Sequence, residues 1–247
     1  YFLEQDEIDL LRELRDSQEL TVARSVINVD VGIVTGLIDF FVLTEQQAAQ
    51  ESLQWFTRPI VTRSGHLQGI RFTPDDLAAN SAKQYPSRIL NAPDVPFESL
   101  PEVVKRYVAK GEQCGYHKGY KCRIRDRWYV VPSVWTPGAF MLRQVHGYPK
   151  IILNETKSTC TDTIHRVRFV SSLSPKAVTA AFINSLTFAF AEITGRSYGG
   201  GVLELEPNEA EVLRLPLKNA ENLDFDLIHR LIVQGRIEDA LKITDQE

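Results

Sequence analysis

Residues 174–195 read SPKAVTAAFINSLTFAFAEITG, and they contain the longest helix that the sequence predicts. Ser174 and Pro175 are typical of a helix start, and Gly195 is typical of a helix end. Between them, residues 176–194 are apolar on nearly every side, which predicts a single buried helix. Because such a helix has no polar face to turn toward water, the remainder of the chain has to cover it.

Outward from this segment, the sequence shows short strands and further helices without regular alternation. Apolar runs bounded by turn residues predict strands at residues 26–34, 39–43, 128–131, 151–153 and 167–170. Periodic apolar residues and capping signals predict helices at residues 6–20, after Thr44, after Thr73, and at residues 101–110, 224–233 and 237–243. The expected fold class is α+β, with mixed short-stranded sheets, a long buried helix and helical ends.

Size and composition limit the class of protein. The chain has 247 residues, 43% of them hydrophobic, so it can bury a substantial core. No stretch approaches 18 consecutive apolar residues, and residues 1–20 are acidic and lack the plan of a secretion signal. We therefore expect a cytoplasmic protein with no membrane partner. The three cysteines show no paired spacing, which favours reduced thiols over a disulfide framework or a zinc site.

Charge is distributed unevenly along the chain. Residues 1–20 carry a net charge of −5 and residues 204–247 carry −6, whereas residues 21–203 carry +7. A basic middle between acidic ends is typical of a central surface that binds a polyanion, since phosphate contacts come from local Lys and Arg. The alternative is ordinary surface charge that happens to segregate.

A basic and aromatic segment spans residues 105–129. It holds eight Lys and Arg residues against two acids, interleaved with five aromatic residues. If the segment is extended, alternate side chains share one face, which predicts a row of four cations: Lys121, Arg123, Arg125 and Arg127. Such a row could follow a DNA backbone, and an arginine could also bind guanine in the major groove. The alternative is a solvated edge strand whose cations prevent aggregation.

A glycine-rich segment, GRSYGGG at residues 195–201, is the second candidate. A phosphate cradle needs a strand before it and a helix start after it, whereas here a helix comes before. We interpret the segment as a structural turn beside an interaction surface, with Arg196 at the point where the helix ends. No nucleotide-binding, nucleophile-elbow, zinc-helix or adenine-flipping motif occurs, and the five histidines are scattered. The residues alone therefore predict no catalytic, cofactor or metal site.

Several short motifs follow one another in an order that resembles a known family. They are VGIVTG at 31–36, DFFVL at 39–43, YKCRIR at 120–125, WYVVP at 128–132, a strand ending in asparagine at 151–154, RSYGGGVLELEP at 196–207 and LRLP at 213–216. In this order they resemble the C-terminal half of Eco57I-like and TaqI-like N6-adenine DNA methyltransferases. The resemblance covers most of the chain, from Val31 to Pro216.

The resemblance implies a division of labour. In such enzymes the upstream half carries the S-adenosylmethionine site and the adenine-flipping motif, and the half resembled here carries the target recognition domain. A full-length parent would then methylate adenine with S-adenosylmethionine, and a missing N-terminal catalytic domain would be a partner of this chain. This fragment alone would bind no cofactor and would not be catalytic. The implied organisation is a helical linker at 1–25, a target recognition domain at 26–216 and a C-terminal helical segment at 217–247.

The resulting hypothesis is sequence-specific recognition of double-stranded DNA for a restriction-modification system. Its DNA-binding residues would be Lys118, Tyr120, Lys121, Arg123, Arg125, Arg127, Trp128 and Arg196, with the lysines as backbone anchors and the arginines of the row as base or phosphate readers. One alternative is a non-catalytic specificity subunit. Another is a protein-protein docking module that uses the apolar stripe Ile8, Leu11 and Leu14 and the helix at 224–233.

Overall fold

A computed structural model describes residues 4–246. Its α-helices are α1 (Gln5–Asp16), α2 (Ile38–Phe41), α3 (Glu45–Gln50), α4 (Pro74–Ala82), α5 (Glu102–Gln113), α6 (Tyr120–Arg123), α7 (Pro175–Ala181), α8 (Ser185–Thr194), α9 (Pro207–Glu211), α10 (Phe225–Val233) and α11 (Ile237–Thr244). Its strands are β1 (Thr21–Val22), β2 (Ile27–Val31), β3 (Val42–Leu43), β4 (Thr57–Val61), β5 (Arg71–Phe72), β6 (Arg88–Leu90), β7 (Ala139–Leu142), β8 (Gln144–Val145), β9 (Ile151–Asn154), β10 (Thr159–Cys160), β11 (Ile164–Phe169), β12 (Arg196–Tyr198), β13 (Val202–Glu204) and β14 (Arg214–Leu215). The predicted α+β class is confirmed.

The main layer is a five-stranded mixed sheet in the order β2-β11-β7-β9-β5. Strand β11 pairs antiparallel with both β2 and β7, while β5 pairs parallel with β9. Residues such as Phe140, Ile151 and Ile164 are fully buried in it. The predicted strands at 26–34, 151–153 and 167–170 correspond to β2, β9 and the end of β11, so those predictions are confirmed.

A second layer combines β3, β4 and β10 with an excursion, which we define as residues 73–138, between β5 and β7. Within it β6 joins a four-stranded sheet in the order β10-β4-β6-β3, and helix α5 packs against that sheet. The layer has its own hydrophobic cluster, in which Phe41, Ile89 and Val108 are fully buried. The second layer, of which the excursion is part, therefore has a core that is distinct from the cluster under α7 and α8.

The single long helix predicted at 176–194 is wrong. Two helices form instead, α7 and α8, and their axes differ by 73°. The break occurs because Asn184 has an extended backbone (φ −155°) and its side chain accepts a hydrogen bond from the Leu186 amide, so it caps a new helix. No single described helix is long and apolar enough to cross a membrane; this bent pair passes such a test only when its two helices are joined.

Both ends of the chain pack onto the body of the protein. Leu11 of α1 is buried in the same cluster as β2 and β11, and α10 and α11 bury Ile228 and Ala240 against Ile70. The surfaces that suggested a docking module are thus largely covered from within the chain. Residues 1–3 and 247, which belong to the predicted terminal segments, lie outside the described residues, and the predicted domain boundaries stay predictions.

Capping signals located helix starts correctly, whereas two apolar runs were misassigned. Thr44 and Thr73 each form the predicted cap, with their hydroxyl oxygens accepting from the amides of Gln47 and Asp76. The strand predicted at 39–43 is wrong over its first half, because residues 38–41 form α2 before β3 begins. The strand predicted at 128–131 is also wrong, since those residues lie in a turn and an irregular segment.

Candidate nucleic-acid interface

The basic segment at 105–129 is helical and turned, so the predicted one-faced row of cations does not form. Helix α5 ends at Cys114, and Gly115 takes a left-handed conformation (φ 76°) that an extended strand would not allow. Helix α6 follows, where the Arg123 amide donates to the Gly119 carbonyl at 2.8 Å. In a helix, residues two apart point in different directions, so the alternation seen in the sequence does not place the four cations together.

Arg125 is directed into the protein. Its guanidinium donates to the carbonyls of Val34 (3.1 Å) and Thr35 (2.8 Å) and lies 5.4 Å from the ring centroid of Phe41. Burial lowers the pKa of Arg125 from its ordinary value. These contacts tie the segment before α2 to the turn after α6, so Arg125 has a structural role and its predicted place in a cation row is wrong.

Arg127 and Trp128 are also engaged within the protein. Arg127 forms an ion pair with Asp94 at 2.5 Å, between Nη1 and Oδ1. The Trp128 indole nitrogen donates to Glu112 at 3.0 Å, and its ring centroid lies 5.0 Å from that of Phe40 in the second cluster. Trp128 is therefore a packing residue of the excursion, and its face is not free to stack on a base.

The remaining members of the predicted set are exposed in or just before helix α6, and we call this segment the basic ridge: Lys118, Tyr120, Lys121 and Arg123. Tyr120 is 66% exposed, and the Lys121 ammonium lies 5.9 Å from its ring centroid. Among residues 4–246, the side chains of Lys118 and Arg123 have no hydrogen-bond or ion-pair partner. The ridge therefore presents cations and one aromatic ring to solvent.

The ridge is held by a close contact with the turn at Gly36. A Cβ atom built on Gly36 would lie 2.4 Å from the Lys121 Cβ, and Gly36 has a positive φ of 80°. Only glycine meets both conditions without strain. Ile38, two residues further on, is 46% exposed, so an apolar edge lies beside the basic ridge.

Arg196, the last predicted site residue, lies elsewhere. It begins β12, which pairs with β13 and through it with β8 in a three-stranded sheet. Its guanidinium forms an ion pair with Glu209 at 2.8 Å. The glycine-rich segment is the tight turn of this hairpin, with positive φ at Gly200 and Gly201, as the prediction of a structural turn required.

Several exposed or unpaired groups were missed by the sequence reasoning. Arg63 and His66 lie in a short 3-10 turn after β4, and Lys150 precedes β9. Each is an isolated polar residue in an ordinary stretch of sequence, so no local signal could have identified it. In the fold they line two neighbouring cavities.

The family model for the C-terminal domain of the type II methyltransferase M.Eco57I matches residues 1–247, the whole chain. The chain belongs to this family. No curated protein matches it in a sequence search. Among solved structures, the M.Eco57I C-terminal domain fold described here is similar to part of the type IIG restriction endonuclease BpuSI, with a TM-score of 0.55 at 10% identity. The match covers 96% of this chain and 32% of the BpuSI chain, so this chain spans about a third of its length.

Nothing in the described part of this M.Eco57I-type domain has the form of a methyl-donor or metal site. The glycine-rich turn joins two strands of a hairpin, whereas a nucleotide cradle leads from a strand into a helix. Within residues 4–246, no group of three His, Cys, Asp or Glu side chains could hold a metal ion. The glycine-rich turn therefore lacks the strand-to-helix geometry of a nucleotide cradle.

Proposed function

We propose that this chain is the sequence-specific double-stranded DNA recognition domain of an adenine-N6 DNA methyltransferase in a restriction-modification system. The observation that carries the proposal is the basic ridge, whose cations are exposed and largely unpaired on a domain of the M.Eco57I C-terminal family. Cations that are free to meet phosphate account for affinity, and aromatic or apolar neighbours such as Tyr120 and Ile38 can contact bases or sugars.

The catalytic part of the proposal concerns the full-length protein. Transfer of a methyl group to adenine requires that the base be extruded from the duplex, which costs a few kcal/mol and needs a surface that grips the flanking DNA. We assign that grip to this domain and the S-adenosylmethionine site to another part of the protein. The ordered motifs shared with N6-adenine methyltransferases support this assignment.

Duplex binding tests the role of the ridge. The binding of this chain to a fluorescein-labelled random duplex of about 30 base pairs would be followed by anisotropy between roughly 50 and 300 mM NaCl. We expect the double variant Lys121→Ala/Arg123→Ala to bind more weakly, with a salt slope reduced by about 1.8 if two phosphate contacts are lost. The matched control is Lys218→Ala/Lys242→Ala, which removes the same charge from the acidic C-terminal region.

Two further measurements test whether the domain recognises a particular DNA sequence and whether the full-length protein methylates adenine. Selection from a random duplex library should enrich one sequence if the domain reads bases. The full-length protein, incubated with S-adenosylmethionine and the selected duplex, should give N6-methyladenine by nucleoside mass spectrometry. Wild-type and ridge-variant chains that bind equally at every salt concentration would refute the ridge as the interface, and an unmethylated adenine would refute the proposed chemistry.

A further inference from the structure

The short turn after β4, at residues 63–66, separates two surface cavities. The first, of about 570 Å³, is lined among others by Ile38, Arg63, His66 and Tyr85. The second, of about 290 Å³, is lined among others by Gln144, His146, Tyr148 and Lys150. Ser64 and Gly65 line both cavities, so the turn is a shared wall between them.

The first cavity continues from the basic ridge. Lys121 of the ridge contacts the Gly36 turn, and Ile38 of the same turn lines the cavity. A ligand that lies along the ridge can therefore extend past Ile38 to Arg63 and on to Lys150. This path joins three separate regions of the sequence.

Lys150 has the features of a group that binds an anion. Its side chain is half-buried, and among residues 4–246 it has no carboxylate or hydrogen-bond partner. Burial lowers its pKa to about 8, so most of the side chain is still charged at pH 7. A partly buried cation without a counter-ion is destabilising, and a perturbed group of this kind beside a cavity is a candidate for a site where a ligand supplies the missing charge.

The first cavity offers a free cation and a flat ring surface. Arg63 is exposed and has no ion-pair partner among the described residues. His66 and Tyr85 stack with their ring centroids 4.3 Å apart and their planes 7° apart. Burial, followed by the charge of Arg63, lowers the pKa of His66, which favours the neutral ring. The pair can pack against a sugar or a base while Arg63 meets a phosphate.

Glu204, which is bonded to Gln144 of the second cavity, is already neutralised. Glu204 accepts hydrogen bonds from Gln144 at 2.8 Å and from Arg143 at 3.3 Å. Arg143 also pairs with Glu206 at 2.7 Å. The charge of Lys150 is thus available to a ligand, and the cavity favours an anion.

We propose that the 63–66 turn and the two cavities beside it form a second DNA contact surface, in which Arg63 and Lys150 bind phosphodiester groups of the duplex that the ridge holds. This inference rests on the proposed function and names the residues that would extend its interface. The recognised chemistry is a phosphate oxygen, which could come from a duplex or from a small phosphate, and the experiment separates these sources.

The test compares Arg63→Ala and Lys150→Met with matched controls that remove an unpaired surface cation elsewhere, Arg24→Ala and Lys157→Met. Anisotropy with the same labelled random duplex gives the affinity, and circular dichroism checks the fold of each variant. Each test variant should weaken binding roughly 3- to 10-fold near 100 mM NaCl and reduce the salt slope by about 0.9, whereas the controls should bind like wild type. Lys150→Arg, which keeps the charge, should restore binding in part.

The outcomes separate this inference from the proposed function. If the ridge variants lose binding while Arg63→Ala and Lys150→Met bind like wild type, the second surface is refuted and the domain remains a DNA-binding domain. If the wild-type chain binds no duplex, both proposals are refuted. Titration with inorganic phosphate tests the other source: phosphate binding that depends on Lys150, with duplex binding unchanged in Lys150→Met, identifies a small-anion site and overturns the DNA assignment.

Discussion

Replacing Lys150 by methionine should make the protein more stable at pH 7. Burial lowers the pKa of Lys150 from its ordinary 10.5 to about 8, and a pKa change of 1 is worth about 1.4 kcal/mol. The whole pKa change of Lys150 corresponds to about 3 kcal/mol of unfolding free energy. We reduce this to about 2 kcal/mol because the half-buried side chain keeps some solvent contact. Methionine fills a similar volume without a charge.

The expected size of the effect can be measured by thermal unfolding. For a chain of this length, 1 kcal/mol shifts Tm by roughly 2 to 4 °C, so Lys150→Met should raise Tm by roughly 4 to 8 °C at pH 7. Lys157→Met, in an exposed turn after β9, is the matched control. Its unfolding free energy should change by no more than about 0.5 kcal/mol.

The pH dependence of the stability difference between Lys150→Met and wild type shows whether that difference comes from the lysine charge or from the packing of methionine. Below pH 8 the lysine is charged in both the folded and the unfolded chain, and the folded state carries the whole cost. As pH rises from 8 to 10.5, only the folded state loses its proton, so wild type gains stability and the advantage of the variant shrinks. An equal Tm at pH 7, or a difference that stays constant up to pH 10, would refute the reasoning.

Two further predictions test hydrogen bonds that stabilise the fold. Tyr107→Phe removes the hydroxyl that donates to the Phe40 carbonyl at 2.7 Å in a buried position, and urea unfolding should show a loss of about 1 to 3 kcal/mol. Asn184→Ala removes the cap of α8 and a hydrogen bond to the Thr244 carbonyl, and its unfolding free energy should fall by about 1 to 2 kcal/mol. Unchanged urea midpoints would contradict these roles. Asn184→Asp restores the cap alone and should recover part of the loss.

Local signals in the sequence predicted part of the fold. The caps at Thr44 and Thr73 were correct because a cap depends on residues three positions apart. The long helix was wrong because its apolar pattern continues through Asn184, where a single side chain starts a new helix in a new direction. The parallel pairings of β5 with β9 and of β4 with β10 join distant segments, and no local pattern specifies such a partner.

The sequence predicted which residues the candidate site contains, but it did not predict how they are arranged in space. The sequence identified the basic segment that carries Lys121 and Arg123, but the alternation that suggested a strand fails because residues 120–123 form helix α6 and a turn follows. It could not show that Arg125 would bind backbone carbonyls, because those lie some 90 residues away in the chain. For the same reason the sequence could not indicate that Arg63 and Lys150 line neighbouring cavities.

The excursion at residues 73–138 leaves the main sheet after β5 and returns at β7, and both strands neighbour β9. Its departure and return points are therefore only about two strand spacings, or roughly 10 Å, apart. The core beneath the excursion is shared with β3 and β4, since Val42 and Ile60 lie in the same cluster as Ile89 and Val108, so substitutions within the excursion should couple to those strands. The ridge is carried on a segment that leaves and rejoins the main sheet at neighbouring points, so a change in the length of that segment need not alter the register of the strands beneath it.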